Sequence, residues 1–132
     1  MEKTLVLIKP DGVRRGLVGK IISRYEARML QISEMRFLRP SSDMLRKHYI
    51  EHVDKDFFNE LSDYMSSGPV VVLVLCGENA VSLVRKINGA TNFMSAELGS
   101  IRGDFACSIT QNLVHASDSQ SGFEREYSIW FG

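Results

Sequence analysis

At 132 residues, 44% apolar and 24% charged, the chain has the make-up of an ordinary globular protein with material for one core, and a single domain over 1–132 is expected. Its 16 basic and 16 acidic residues cancel, which removes the broad positive field that non-specific nucleic-acid binding relies on. Cys76 and Cys107 form no Cys-x-x-Cys pair, the start lacks a charged-then-apolar leader, and the longest apolar run, residues 70–76, is too short to span a bilayer. No zinc site, disulfide framework or membrane association is expected, and the expected location is the cytoplasm.

Residues 4–8 read as a strand of β-formers, closed by Lys9-Pro10-Asp11-Gly12, which reads as a turn. Over residues 18–30, Ile21, Ile22, Tyr25 and Met29 recur at helical spacing. Residues 31–38 alternate imperfectly and predict a second strand, ended by Arg39-Pro40-Ser41-Ser42, which also supplies a helix N-cap. Leu45, Tyr49, Phe57, Phe58, Leu61 and Met65 then keep a helical period that breaks near Val53-Asp54-Lys55-Asp56, so two short helices fit residues 42–65 better than one.

Residues 70–75 form a continuous apolar run after Ser67-Gly68-Pro69 and predict a central strand covered on both faces. A helix follows over 79–87, with Val81, Val84 and Ile87 on one side. Residues 88–102 lack periodicity and predict a long loop, a length often associated with function. Residues 112–115 make a short strand, and Phe123, Tyr127 and Trp130 give a closing helix over 122–131. Strands alternating with helices indicate a sheet with helices packed against it.

Phosphate chemistry calls first for a glycine-rich cradle, and the segment from Gly12 to Lys20 fits neither the P-loop nor the dinucleotide pattern; its glycines read as turn residues around a helix start. His115 carries more information, because it ends an apolar strand just before Ala116-Ser117-Asp118-Ser119, a set typical of a helix entrance. A lone histidine beside an apolar run is in most chains a structural group. A neutral imidazole can also act as a nucleophile when its second ring nitrogen is held by an acceptor, and Glu126 on the next helix is a candidate for that support. Lys9, Tyr49, His52, Arg85, Thr91, Arg102 and Asn112 are the remaining polar candidates, each unremarkable alone.

Taken together, Leu5-Val-Leu-Ile-Lys9-Pro-Asp-Gly12, Ser67-Gly-Pro-Val70, Ile101-Arg102-Gly-Asp-Phe105, Asn112-Leu-Val-His115-Ala-Ser-Asp-Ser119 and Ile129-Trp130-Phe131 follow one another in an order that resembles the nucleoside diphosphate kinase family along essentially the whole chain. The resemblance implies a ferredoxin-like fold, a four-stranded antiparallel sheet with helices on one face. It implies transfer of a γ-phosphoryl group from a nucleoside triphosphate to His115 and onward to a nucleoside diphosphate, with Mg2+ carried by the nucleotide phosphates. It places Lys9 and Asn112 at the sugar hydroxyls, Tyr49, Arg85, Thr91 and Arg102 around the phosphates, Phe57 against the base, Glu126 behind His115, and His52 at a phosphate. It also implies a homo-oligomer, hexamer or tetramer.

Ala116 stands where the family usually has glycine, whose carbonyl is expected to hold the ring nitrogen that does not react; a positive φ there would strain alanine. Phe93 and Leu98 stand where prolines are common. Two rival readings are a non-catalytic nucleotide-binding domain, which should lack His115 or its neighbours, and an RNA-binding sheet, whose aromatic-rich strand motif Arg102-Gly103-Asp104-Phe105 matches only superficially.

Overall fold

Side chains alternate between the two faces of a strand, so a fully apolar run has to be covered twice. In a computed structural model describing residues 1–132, β3 (Val70–Gly77) meets that requirement: Val71, Leu73 and Leu75 enter one core, while Val70, Val72 and Val74 enter another. β1 (Glu2–Ile8) divides in the same way, Val6 and Ile8 to the first core and Leu5 and Leu7 to the second. These two strands form the centre of a four-stranded sheet of order β2-β3-β1-β4, with β2 spanning Gln31–Leu38 and β4 Val114–Ala116. Every neighbouring pair is antiparallel. The β1–β2 and β3–β4 crossovers each skip one strand, whereas β2 runs through intervening helices into its neighbour β3, which is the split βαβ arrangement of the ferredoxin-like fold.

Helices cover both faces, not one. α2 (Val18–Glu26) and α5 (Ala80–Asn88) cover the first core through Ile21, Tyr25, Val84 and Ile87. The opposite face is closed by Leu45 of α3 (Ser42–His48), Met65 of α4 (Phe58–Met65), and Phe123 and Trp130 of α7 (Gln120–Trp130). The double alternation in β1 and β3 leaves no wet face, so a one-sided helical layer could not satisfy it. No helix is long and apolar enough to cross a membrane.

Three local expectations change. The Lys9-Pro10-Asp11-Gly12 segment is not a plain turn: α1 (Pro10–Arg14) begins there, with proline in the first helical turn, where its missing N–H is no loss. α2 ends at Glu26, and the chain reverses at Met29, whose φ is 65°. The loop after α5 stops short of Arg102, because α6 (Ile101–Phe105) starts behind the Ser100 cap, whose hydroxyl accepts from Gly103 N.

Candidate active site

The end of β1 and β4 pair directly, Leu7 opposite His115 and Ile8 opposite Val114, so sheet register joins two of the segments singled out in the sequence. Lys9 N donates to the Leu113 carbonyl at 2.8 Å. Leu113 adopts φ 79°, a left-handed conformation that costs a residue with a Cβ about 1–2 kcal/mol. Complete burial of its side chain and that hydrogen bond hold it there. A Cβ on Gly12 would lie 2.9 Å from Ile8 Cγ2 and 3.4 Å from the Leu113 carbonyl, so only glycine lets α1 close on this junction. With the backbone so arranged, Lys9 Nζ donates to Asn112 Oδ1 at 2.8 Å, and Asn112 Nδ2 donates to the Thr91 carbonyl at 3.4 Å.

His115 Nε2 lies 2.8 Å from Glu126 Oε2. An ionised carboxylate only accepts, so Nε2 carries the proton and Nδ1 keeps its lone pair. The other Glu126 oxygen accepts from the Ser117 hydroxyl at 2.6 Å. Burial alone would push the Glu126 carboxyl up; the hydrogen bond and charge of His115, with His48 and Ser117 adding to them, outweigh it and hold the group below the usual carboxylate range. The carboxylate thus takes the place expected of the residue-116 carbonyl in fixing the ring. Ala116 lies in β4 and is not among the residues with positive φ, so alanine is unstrained there.

A cleft of about 1570 Å3 is lined by Lys9, Tyr49, His52, Arg85, Thr91, Arg102, Asn112, His115 and Glu126. Phe57 lines a smaller cavity of about 340 Å3 that shares Lys9, Thr91 and Asn112 with the first. His52 sits between the two aromatic candidates, its ring centroid 6.3 Å from Tyr49 and 5.3 Å from Phe57. Burial and the Glu126 charge push the Tyr49 phenol up, so its hydroxyl stays a donor.

Arg102 is buried and donates to two backbone carbonyls, Gly89 at 2.7 Å and Val114 at 2.6 Å, while its Nε has no partner. Gly89 has φ 86°, and a Cβ there would overlap the Ser100 side chain, so the loop presents its carbonyl to Arg102 only as glycine. Burial, with the Arg102 charge adding to it and Asp11 opposing, lowers the Lys9 ammonium from 10.5 to about 8. A lysine depressed in the fold binds its proton less well than in the unfolded chain, so its charge destabilises the free fold below about pH 8, and the penalty is relieved between about pH 8 and 10.5. An anionic ligand needs the charged form. The apparent KM for nucleotide is therefore expected to rise as pH passes about 8, with the limb absent in Lys9→Met; a limb that survives this substitution removes Lys9 as its source.

Three residues of the site escaped the sequence reading. Ser117 was legible only as part of a quoted segment. His48 is not singled out by any pattern and Trp130 reads as part of the closing helix, yet Trp130 Nε1 donates to His48 Nδ1 at 3.0 Å, and the His48 ring lies 4.7 Å from that of His115. Donor atoms of His48, His115 and Glu126 lie within 4.8 Å of one another, the spacing of a metal group. His115 Nε2 and His48 Nδ1 are already hydrogen-bonded, and two nitrogens with one carboxylate do not suit Mg2+, which takes oxygen ligands.

A family profile described as nucleoside diphosphate kinase matches residues 2–132. The chain is 55% identical, over 131 residues, to the nucleoside diphosphate kinase of Caldanaerobacter subterraneus subsp. tengcongensis, covering 99% of this chain and 94% of that protein. Among solved structures, the nucleoside diphosphate kinase of Encephalitozoon cuniculi superposes with a TM-score of 0.97 at 38% identity, covering 100% of this chain and 90% of that one. That of Halobacterium salinarum, in complex with CDP, gives 0.95 at 41% identity, covering 98% and 87%. A profile match from the second residue to the last, joined to relatives of this identity on the same fold, means that the chain belongs to the nucleoside diphosphate kinase family and is a phosphotransferase of that kind.

Proposed function

We propose that the chain transfers the γ-phosphoryl group in two steps through His115. The observation that carries this reading is the bare Nδ1: with Nε2–H committed to Glu126, the only free lone pair of the ring belongs to a nitrogen in a cleft lined by Lys9, Arg85 and Arg102. Nδ1 attacks the γ-phosphorus in line, the N–P bond forms, the bridging P–O bond breaks, and its electron pair leaves with the nucleoside diphosphate. Glu126 stabilises the positive charge that develops on the imidazole, as a carboxylate does for a histidine nucleophile or base. A second diphosphate then takes the group by the reverse path. The test is incubation with γ-labelled ATP and no acceptor: label is expected on His115, and label on Ser117 or Ser119, or none, overturns the proposal.

Around the transferring group, Arg85, Arg102, Tyr49 and Thr91 supply donors where charge spreads over equatorial oxygens, and His52 adds a contact near Tyr49. Lys9 and Asn112, already bonded to each other, hold the sugar hydroxyls. Mg2+ enters as part of the nucleotide substrate, where it neutralises phosphate charge; both Glu126 oxygens are occupied, which leaves the phosphates as its natural ligands.

Phe57 and Ile109, 48% and 58% exposed, offer flat apolar contact to a base in the smaller cavity. Stacking tolerates any base and is worth about 1–3 kcal/mol. Purine and pyrimidine diphosphates are both expected to be accepted, and Phe57→Ala is expected to raise KM by about tenfold or more with little change in kcat. Rejection of three of the four bases by several orders of magnitude would refute recognition by stacking alone.

The same reading takes 1–132 as one working domain, places it in the cytoplasm in keeping with two free thiols, and has it act as a homo-oligomer, hexamer or tetramer. What supports assembly is the edge strand β2, whose Met35 and Phe37 are 57% and 66% exposed beside an unpaired backbone edge. Sedimentation as a monomer at micromolar concentration overturns that part.

A further inference from the structure

We propose that Trp130 is a positioning residue for the nucleophile: by donating its indole N–H to His48, it forces His48 into the tautomer that cannot compete for Glu126, and so reserves that carboxylate for His115. The proposal rests on His115 being the phosphoryl carrier.

An indole nitrogen can only donate. Trp130 is fully buried, its Nε1 lies 3.0 Å from His48 Nδ1, and that His48 nitrogen must therefore be unprotonated, with the ring proton on Nε2. The constraint matters because the same Nδ1 lies 3.8 Å from Glu126 Oε2, the oxygen that accepts from His115 Nε2 at 2.8 Å. A His48 carrying its proton on Nδ1 needs only a small shift to donate to that oxygen. The bond from His115 then weakens, and the preference of His115 for a proton on Nε2 weakens with it. A His115 protonated on Nδ1 presents no lone pair to phosphorus at that atom.

The surroundings make the arrangement stiff. The His48 side chain is 1% exposed, and its ring packs edge-on against Tyr49 at 4.6 Å, His115 at 4.7 Å and Trp130 at 5.6 Å. Arg125 donates to the Lys47 and His48 carbonyls, which ties the end of α3 to α7, the helix that carries both Glu126 and Trp130. The charged groups facing His48 are His115 from β4, Glu126 and Arg125 from α7, and Lys9 from the end of β1. Burial, with the charge of His115 adding to it, lowers the His48 imidazole to about 3; Arg125 and Lys9 act in the same direction and only Glu126 opposes them. Neutral His48 is thus the state the fold maintains, and the indole chooses between its two neutral forms.

The experiment combines nitrogen NMR of the imidazoles with single-turnover phosphorylation by ATP. In the unmodified enzyme at pH 8, His48 and His115 are both expected as Nε2–H tautomers; either one found as Nδ1–H overturns the proposal without any variant. Trp130→Phe keeps an aromatic ring and removes the N–H. It is expected to give His115 a mixed tautomer signature and to slow phosphorylation by about tenfold at saturating ATP with nucleotide affinity within twofold. Adding His48→Leu to Trp130→Phe removes the competitor and is expected to return His115 to the Nε2–H form. A Trp130→Phe enzyme that is slow yet keeps the parent tautomer, or a double variant that stays mixed, shows Trp130 to be merely structural and sinks the proposal. Labelling of His115 in the parent enzyme separates that failure from failure of the phosphohistidine reading itself.

Discussion

Replacing His115 by alanine is expected to abolish both turnover and labelling by γ-labelled ATP, with a loss in kcat of about 10⁴-fold or more, the scale on which enzymes lose a covalent nucleophile. The groups nearest His115 are already committed. His48 is buried with its Nδ1 occupied by Trp130, the Ser117 hydroxyl is committed to Glu126, and Tyr49 is held protonated. Label on the parent enzyme is expected to be acid-labile and comparatively stable to alkali, as an N–P bond is and a serine ester is not. Glu126→Ala, which leaves the attacking atom in place but frees the tautomer, is expected to reduce both rates by a smaller factor, about 10²-fold, in the range of general acid–base support. A His115→Ala enzyme with full activity would remove the mechanism altogether.

Arg102→Lys is expected to produce the second largest effect, and it acts on two levels. One guanidinium holds the Gly89 carbonyl after α5 and the Val114 carbonyl in β4, fixing the loop after α5 to the strand that bears His115. Lysine keeps the charge but offers a single nitrogen on a flexible stem, which cannot span two carbonyls and a substrate oxygen together. A fall in kcat of about 10²–10³-fold is expected at saturating nucleotide, the usual size for one lost transition-state donor. A buried carbonyl left without a donor adds a stability loss of about 1–3 kcal/mol. Thermal melting and single-turnover rates read the two parts separately. A variant that melts with the parent and turns over within threefold of it ends the assignment of Arg102 to either role.

Where the local reading and the fold differ, the differences share a cause. Residues 112–115 have strand composition, but β4 is confined to Val114–Ala116 because Leu113 is driven to a positive φ by its long-range bond with Lys9. Pro10 and Gly12 are turn residues by propensity, yet α1 forms through them because a helix tolerates proline in its first turn and the junction with Ile8 and Leu113 leaves room only for glycine. The helices on the second face of the sheet follow from the apolar continuity of β3, which the sequence displays, although the resemblance to a one-sided arrangement pointed elsewhere.

The strand that organises the core, the alternation that requires two covered faces, the helical stripes of α2, α5 and α7 and, through the ordered motifs, membership of the family are all legible along the chain. The surroundings of His115 are set by contacts between distant segments. Lys9 and Asn112 meet across 103 residues of chain, His48 and Trp130 across 82, and Glu126 reaches Nε2 of His115 and not Nδ1. Periodicity and propensity describe neighbours within a few residues. Which nitrogen carries a proton, and which carboxylate oxygen receives it, depends on contacts fixed by sheet register and helix packing between distant parts of the chain.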